Sequence, residues 1–259
     1  MVRKNSDKKA KRVKAELLKH KIKTNIFKIK FRNKSNFHAN AREKRYTKIY
    51  EFCKKNSIKN VLLAHHLDDQ IENFYIRLSR GSGLTGLSPI KKKTKYKTIH
   101  LLRPFLSIRK DILNKITKKY FKFYVKDPSN LNDKYLRSRV RKFRSFMENE
   151  GFKDNRLLST LSNFEKARDA LDYYSDLSFK KFFKGKDSSV SISKKLFSEP
   201  KEIIYRSVSK FLTKNKNYPS RSKGIERLIT DLMEANSKKV TLGGYVFKNG
   251  LNFVKVSIE

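Results

Sequence analysis

The residue types best suited to chemistry are concentrated in one short segment, HHLDDQIE at 65–72. Asp69 and Glu72 lie three positions apart, so on a helix they share one face. Carboxylates placed together in this way bind a cationic substrate, ligate a metal ion or accept a proton from an attacking amine. His65 and His66 fit either a reactive site or ordinary packing, and the spacing does not choose among these chemistries.

A glycine-rich stretch, GSGLTGL at 81–87, follows the acidic segment. Its backbone N–H groups carry little side-chain obstruction, which suits a bound phosphate or a close nucleic-acid backbone, but also an ordinary loop. Asp68 and Asp69 have an ordinary explanation as well, because carboxylates at the start of a helix are favoured by the helix dipole. It is the whole cluster, placed directly after an apolar run, that indicates function.

The overall charge restricts the partners of the protein. Lysine and arginine number 64 against 24 aspartates and glutamates, a net charge of +40. A lysine-rich genome accounts for part of this excess, but the surplus still favours a polyanionic partner, nucleic acid before an anionic membrane. Cys53 is the single cysteine, which excludes an internal disulfide and favours a reducing cytoplasm. No apolar run reaches the ~20 residues of a membrane span.

A predicted helix at about 133–149 contains four arginines within eight positions, Arg137, Arg139, Arg141 and Arg144. Arg137, Arg141 and Arg144 share one face. The other face carries Leu136, Val140, Phe143 and Met147. We therefore expect the arginine face to point away from the core and to contact nucleic-acid phosphates, with a solvated charged face as the ordinary alternative. Arg139 lies nearer the apolar side and is expected to point into a cleft.

Alternating helices and strands are predicted to position these residues. Helices at 7–20, 40–55 and 68–80 alternate with strands at 24–31 and 61–64. This order predicts an α/β fold with a parallel sheet, in which ligands bind at the carboxyl ends of the strands. The acidic segment directly follows the strand at 61–64.

The pattern changes along the rest of the chain. A strand near 98–102, a helix at 107–120 and a loop at 124–133 precede the arginine helix. A composition shift near Gly151 predicts a boundary between a first domain, 1–150, and a mainly helical second domain, 151–259. The expected helices of the second domain are 156–183, 199–213 and 221–235, followed by a short β tail at 240–242, 245–247 and 252–256.

Five segments resemble the tRNA(Ile)-lysidine synthetase family. The central one is AHHLDDQIEN at 64–73 with RLSRGSGLTGLSPI at 77–90, where Asn73 replaces the usual threonine. The others, in the same order as in the family, are AREKRY at 41–46, RPFLSIRKDI at 103–112, YVKDPSNLNDKYLRSRVR at 124–141 and TLGGYVF at 241–247. The resemblance implies that 1–150 is a PP-loop ATPase domain, adenine nucleotide alpha hydrolase-like, and that 151–259 binds tRNA.

The resemblance also implies an ATP-dependent carbon–nitrogen ligase. ATP, with Mg²⁺ assisting at the phosphates, adenylates the C2 oxygen of the wobble cytidine in tRNA(Ile) with a CAU anticodon, and free lysine displaces AMP. The implied catalytic residues are His65, Asp69 and Glu72. The residues implied to support lysine and nucleotide are Asp68, Gln70 and Arg42. The arginine helix and the basic second domain would hold the tRNA, no metal is expected to be ligated by the protein itself, and a second copy of the chain is a further candidate partner.

The phosphate loop of this family, S-G-G-x-D-S, has no counterpart in the 259 residues. Because the chain also opens on a helix, we expect an upstream segment to be missing and ATP binding by this chain alone to be poor. A non-catalytic tRNA-binding remnant and one subunit of a split enzyme are therefore kept as alternatives. A tRNA-thiolating relative is disfavoured by the single cysteine, and a metal hydrolase built on the histidines and aspartates of the acidic segment is more distant.

Overall fold

A computed structural model describes residues 6–29, 37–125, 136–186, 189–214, 222–234 and 239–259. The chain separates into two compact units, Met1–Ser162 and Asn163–Glu259, and each is described by itself. The assignment of functions to two domains, 1–150 and 151–259, stays a prediction.

The first unit contains a mixed sheet surrounded by helices. Its elements are α1 (Ser6–Lys19), α2 (Phe37–Lys55), β1 (Asn60–Leu62), α3 (Leu67–Leu78), α4 (Leu84–Leu87), β2 (Lys93–Tyr96), β3 (Ile99–Leu102), α5 (Lys110–Phe121) and α6 (Leu136–Asn149). Helix α7 (Asp154–Phe182) begins in this unit and continues into the second. The helices expected at 7–20, 40–55, 68–80 and 107–120 are confirmed, each within three residues of its predicted start.

The strands of the first unit form a sheet in the order β1-β3-β2. β1 runs parallel to β3, with Asn60 opposite His100 and Leu62 opposite Leu102. β2, a strand that the sequence did not predict, pairs antiparallel with β3 and makes the sheet mixed. The helices and the parallel pair confirm the α/β class. They also bring the end of β1 beside the end of β3, where the acidic segment begins.

A small apolar core fixes α2 against this sheet. Its buried residues are Tyr46, Cys53, Ile99 and Leu101. The strand predicted at 24–31 is wrong over its described part, because 24–29 form no strand. Instead Phe27 packs against Phe52 of α2, with ring centroids 5.4 Å apart. Residues 30 and 31 lie outside the described part of the chain, as does most of the loop predicted at 124–133.

The second unit is built on a larger sheet than the predicted β tail. Its elements after α7 are β4 (Phe183–Lys186), β5 (Ser189–Ser193), a 3-10 helix (Lys194–Ser198), α8 (Lys201–Lys214), α9 (Ser222–Met233), β6 (Lys239–Leu242), β7 (Tyr245–Asn249) and β8 (Phe253–Ile258). The strands form one antiparallel sheet in the order β4-β5-β8-β7-β6. Its apolar face packs on α8 and α9 through fully buried side chains such as Phe247, Ile204 and Leu228.

Candidate active site

The acidic segment lies where β1 ends and α3 begins. Leu67 N–H donates to Ile108 O at 3.0 Å, which ties the first turn of α3 to the chain before α5. Asp69 Oδ2 accepts a hydrogen bond from His66 N–H at 3.1 Å. A carboxylate at this position satisfies a free helix N–H and suits the positive end of the helix dipole. The segment therefore takes the position that the sequence predicts, at the carboxyl end of a parallel strand.

Asp68 connects three helices. Its Oδ2 accepts a hydrogen bond from Lys110 N–H at the start of α5 at 2.8 Å, and its Oδ1 accepts one from Arg144 Nη1 of α6 at 2.5 Å. Burial alone would raise the pKa of Asp68, but the hydrogen bonds from Arg144 and Lys110 outweigh it and hold the pKa below its ordinary 3.8. Asp68 is therefore ionised, and it links the starts of α3 and α5 to the second half of α6.

Arg144 continues this network toward α7. Its Nη2 donates to Asp154 Oδ2 at 2.7 Å, and Arg109 Nη1 lies 3.2 Å from the same oxygen. Arg144 is thus held between two carboxylates, Asp68 and Asp154, while only 11% of its side chain is exposed. A guanidinium buried to this extent needs such paired acceptors, because its charge is costly to remove from water.

Glu72 is the most buried carboxylate of the site. Only 2% of its side chain is exposed, and Arg141 Nε donates to Glu72 Oε1 at 2.5 Å while Nη2 reaches Oε2 at 3.4 Å. Arg137 Nε lies 3.9 Å from the same carboxylate. Glu72 and Asp68 therefore each hold an arginine of α6, and α3 packs on α6 through opposite charges.

His65 is half-buried, as is the adjacent His66. Within the described residues, its Nδ1 is buried and has no hydrogen-bond partner. Burial lowers the pKa of His65 below 6.5, and the charges of Arg103, Arg42 and Arg45 add to this effect, whereas the charge of Asp69 opposes it. A neutral imidazole follows at physiological pH, with one ring nitrogen able to accept a proton.

Gln70 has a structural position. Its Nε2 donates to Leu106 O at 3.2 Å, and its Oε1 accepts from Ile90 N–H at 3.0 Å. The side chain is buried, so it joins the segment after the glycine turn to the segment before α5. Arg42 lies on α2 with its guanidinium 5.2 Å from the ring of Tyr46. Its positive charge contributes to the lowered pKa of His65.

The glycine turn makes internal hydrogen bonds. Ser82 N–H donates to Arg77 O and Leu87 N–H to Gly83 O, and Arg77 Nη1 donates to Gly86 O at 2.8 Å. A Cβ on Gly86 would lie 2.7 Å from Ser82 Cβ, so glycine is needed there for close packing. These contacts support the ordinary-loop interpretation over a phosphate cradle.

The predicted orientation of the arginine helix is wrong for Arg141 and Arg144. Both point at carboxylates of α3, whereas Phe143 of the predicted apolar face is 48% exposed. The physical reason is that α3 presents acid, so the charged face of α6 becomes a packing face. Arg137 and Arg139 are exposed, and their contact with tRNA stays a prediction.

Arg103 and Asp154 belong to the site but were missed in the sequence. Arg103 is buried, and its Nη1 donates to Lys91 O and Thr94 Oγ1 at 2.9 and 3.1 Å. The signal for Arg103 is a lone arginine after the apolar run of β3. Asp154 resembles any acidic residue in a first helical turn, so nothing in the sequence distinguishes it.

In the described part of the chain, no group of three or more His, Cys, Asp or Glu side chains could hold a metal ion. No described helix is long and apolar enough to cross a membrane.

Comparison with known proteins identifies the fold family. A family model described as "PP-loop domain" matches residues 1–145. A tRNA(Ile)-lysidine synthase of Wolbachia sp. subsp. Brugia malayi is 32% identical over 217 residues, covering 82% of this chain and 50% of that protein. The enzyme of the same name from Campylobacter jejuni (strain RM1221) is 41% identical over 142 residues, covering 54% of this chain and 43% of that protein.

A third relative extends the same result. The tRNA(Ile)-lysidine synthase of Anaplasma marginale is 34% identical over 184 residues, covering 68% of this chain and 38% of that protein. The chain thus spans half or less of the length of these curated relatives. The matched PP-loop segment contains β1, α3 and the whole acidic cluster. Because that model matches more than half of the 259 residues, the chain belongs to the PP-loop domain family.

Proposed function

We propose that this chain carries the lysine-handling site of an ATP-dependent ligase that attaches free lysine to C2 of the wobble cytidine in tRNA(Ile) with a CAU anticodon. One observation carries the proposal: a cluster of three carboxylates and a neutral histidine at the end of β1, inside the matched PP-loop segment. The name of the relatives supports the choice of substrate.

The binding and deprotonation of lysine explain why acidic residues are clustered in so basic a protein. Free lysine arrives as an ammonium ion, which a carboxylate binds, but only the neutral amine attacks carbon. Asp69 is the proposed partner of the ammonium, with Glu72 completing the acidic face of α3. His65 is the proposed proton acceptor, because the lowered pKa of its imidazole keeps a ring nitrogen available. ATP supplies the adenylate that activates the C2 oxygen, with AMP as the leaving group.

The ion pairs of α6 define what must change when lysine binds. Arg141 holds Glu72, so an ammonium reaches that carboxylate only if the guanidinium moves aside. Asp69 Oδ2 accepts the His66 N–H and lies 3.5 Å from His66 Nε2. Among the described residues no arginine forms an ion pair with Asp69, so Asp69 is the better first contact for lysine. Arg137 and Arg139 are the proposed tRNA contacts on the exposed side of α6.

The test is attachment of radiolabelled lysine to a CAU-anticodon tRNA(Ile) transcript by the complete gene product with ATP. Asp69→Asn is expected to lower the rate about 100-fold or more while tRNA binding is retained. Asp111→Asn is the matched control, because Asp111 is 61% exposed on α5. No attachment by the folded wild-type protein would overturn the proposal.

A second function is favoured by the same ion pairs. Arg144 and Arg141 already neutralise Asp68 and Glu72, as expected for a protein that binds tRNA without modifying it. Tight, salt-sensitive tRNA binding with no lysine attached would select this alternative. Association with a second copy of the chain stays a prediction that sedimentation tests.

A further inference from the structure

A basic cleft lies between α1 and the end of α5, away from the acidic cluster. It encloses about 710 Å³. Four cationic side chains and two aromatic rings line it: Lys9, Arg12, Lys118, Lys122, Phe123 and Tyr124. Among the described residues that line the cleft, none is acidic. Cations gathered from two helices give the cleft a positive potential, which favours a polyanionic ligand.

The backbone after α5 explains how the rings reach the cleft. Lys122 adopts a left-handed conformation with φ of 52°, and its N–H caps the helix by donating to Lys118 O. This turn directs Phe123 back to α1, where the guanidinium carbon of Arg12 lies 4.4 Å from the ring centroid. The helix dipole accounts for lysines at the end of α5, but it does not account for Lys9 and Arg12, which come from another helix.

The position of the cleft relates it to the acidic cluster. The first residue of α5, Lys110, donates its N–H to Asp68, and the cleft lies at the other end of the same helix. Twelve residues of α-helix span roughly 18 Å. A nucleic-acid strand in helical form covers that distance in about five nucleotides.

We propose that this cleft binds single-stranded RNA, with its cations on the phosphates and Tyr124 stacked on an unpaired base. Aromatic rings interleaved with cations in a concave surface are typical of single-strand sites, because every base offers a face for stacking. The inference goes beyond the proposed function, which involves the other end of α5. Only one part of the inference rests on the proposed function, namely that the bound RNA runs from the cleft toward Asp68.

The first test measures phosphate contact. Lys9, Lys118 and Lys122 are replaced together by glutamine, and binding of a labelled single-stranded RNA is followed by fluorescence anisotropy over a salt series. The slope of log K against log salt is expected to fall by about 2, since each lost contact to a single strand contributes about 0.7. The matched control replaces Lys54, Lys55 and Lys59, exposed residues at and after the end of α2, and is expected to keep the wild-type slope.

The second test measures stacking. Tyr124→Leu is expected to weaken single-stranded RNA binding about tenfold and to leave binding of a duplex of the same sequence unchanged, whereas Tyr124→Phe retains single-strand affinity. Equal slope changes in both lysine triples, or wild-type affinity in Tyr124→Leu, would overturn the proposal. So would loss of binding to phosphatidylserine vesicles in the cleft triple without any change toward RNA. Binding is measured without ATP or lysine, so failure of the cleft and failure of the ligase are separate results.

Discussion

Glu72 lies where water hardly reaches, and Arg141 supplies the opposite charge that a carboxylate needs there. With 2% of the side chain exposed, an unpaired carboxylate would have to lose its charge or unfold its surroundings. The guanidinium supplies two N–H donors to the two carboxylate oxygens. The pair therefore matters less as a source of stability than as protection against an uncompensated buried charge.

Removing Arg141 exposes that dependence. Arg141→Met is expected to lower the free energy of unfolding by about 3 kcal/mol, because it leaves Glu72 buried without its partner. Arg137→Met is the control: Arg137 is 56% exposed and 3.9 Å from the same carboxylate, so the expected loss is below about 1 kcal/mol. Urea unfolding followed by circular dichroism measures both. Equal losses in the two variants would contradict this account of the pair.

Asp68 is expected to contribute to the acid sensitivity of the protein. Its pKa in the folded state lies below 3.8, so its contribution to stability is complete above the unfolded value and is lost as the pH falls through the folded one. Unfolding free energies measured from pH 7 down to pH 3 should therefore decline below about pH 4 less steeply in Asp68→Asn than in the wild type. Asp111→Asn should follow the wild-type curve, and a steeper decline in Asp68→Asn would show that the sign is wrong.

At the scale of elements, the sequence predicts the helices well because their apolar spacing and end residues are local signals. β2 could not be predicted because KTKY lacks the alternating apolar residues that indicate a strand. It is a strand because it pairs with β3. The strand expected at 24–31 is the reverse case. TNIFKIKF has the alternating pattern of a strand, but the pattern alone does not provide a neighbouring strand with which to pair. The same limit applies to α6: its two faces are evident in the sequence, but the acidic neighbour that contacts one of them is not.

The turn between β6 and β7 offers a test of an element. Gly243 and Gly244 both have positive φ, 65° and 72°, as a two-residue hairpin turn with right-handed strand twist requires. Gly243→Ala is expected to cost about 1–2 kcal/mol, whereas Gly243→Asn should cost less than half of that, because asparagine tolerates this conformation. Thermal unfolding of the two variants makes the comparison, and equal losses would exclude backbone conformation as the cause.

At the scale of the whole molecule, a net charge of +40 opposes compaction through self-repulsion. Raising NaCl from about 0.05 to 0.5 M shortens the screening length several-fold and should raise the Tm. Polyphosphate at constant ionic strength should raise it further by binding the folded state, and polylysine should not. Circular dichroism measures the Tm, since the chain has no tryptophan. A Tm that falls with salt would mean that the ion pairs outweigh the repulsion.

Two of the ion pairs between α3 and α6 also have an evolutionary consequence. Glu72 and Arg141 are 69 positions apart, and Asp68 and Arg144 are 76 apart, yet neither member of a pair can change alone without leaving a buried charge. Substitutions at the two members of a pair should therefore occur together, because a change in one member is tolerated only when the other changes with it. Among descendants of one ancestral gene, the paired positions of α3 and α6 would therefore show correlated substitutions that preserve the opposite charges.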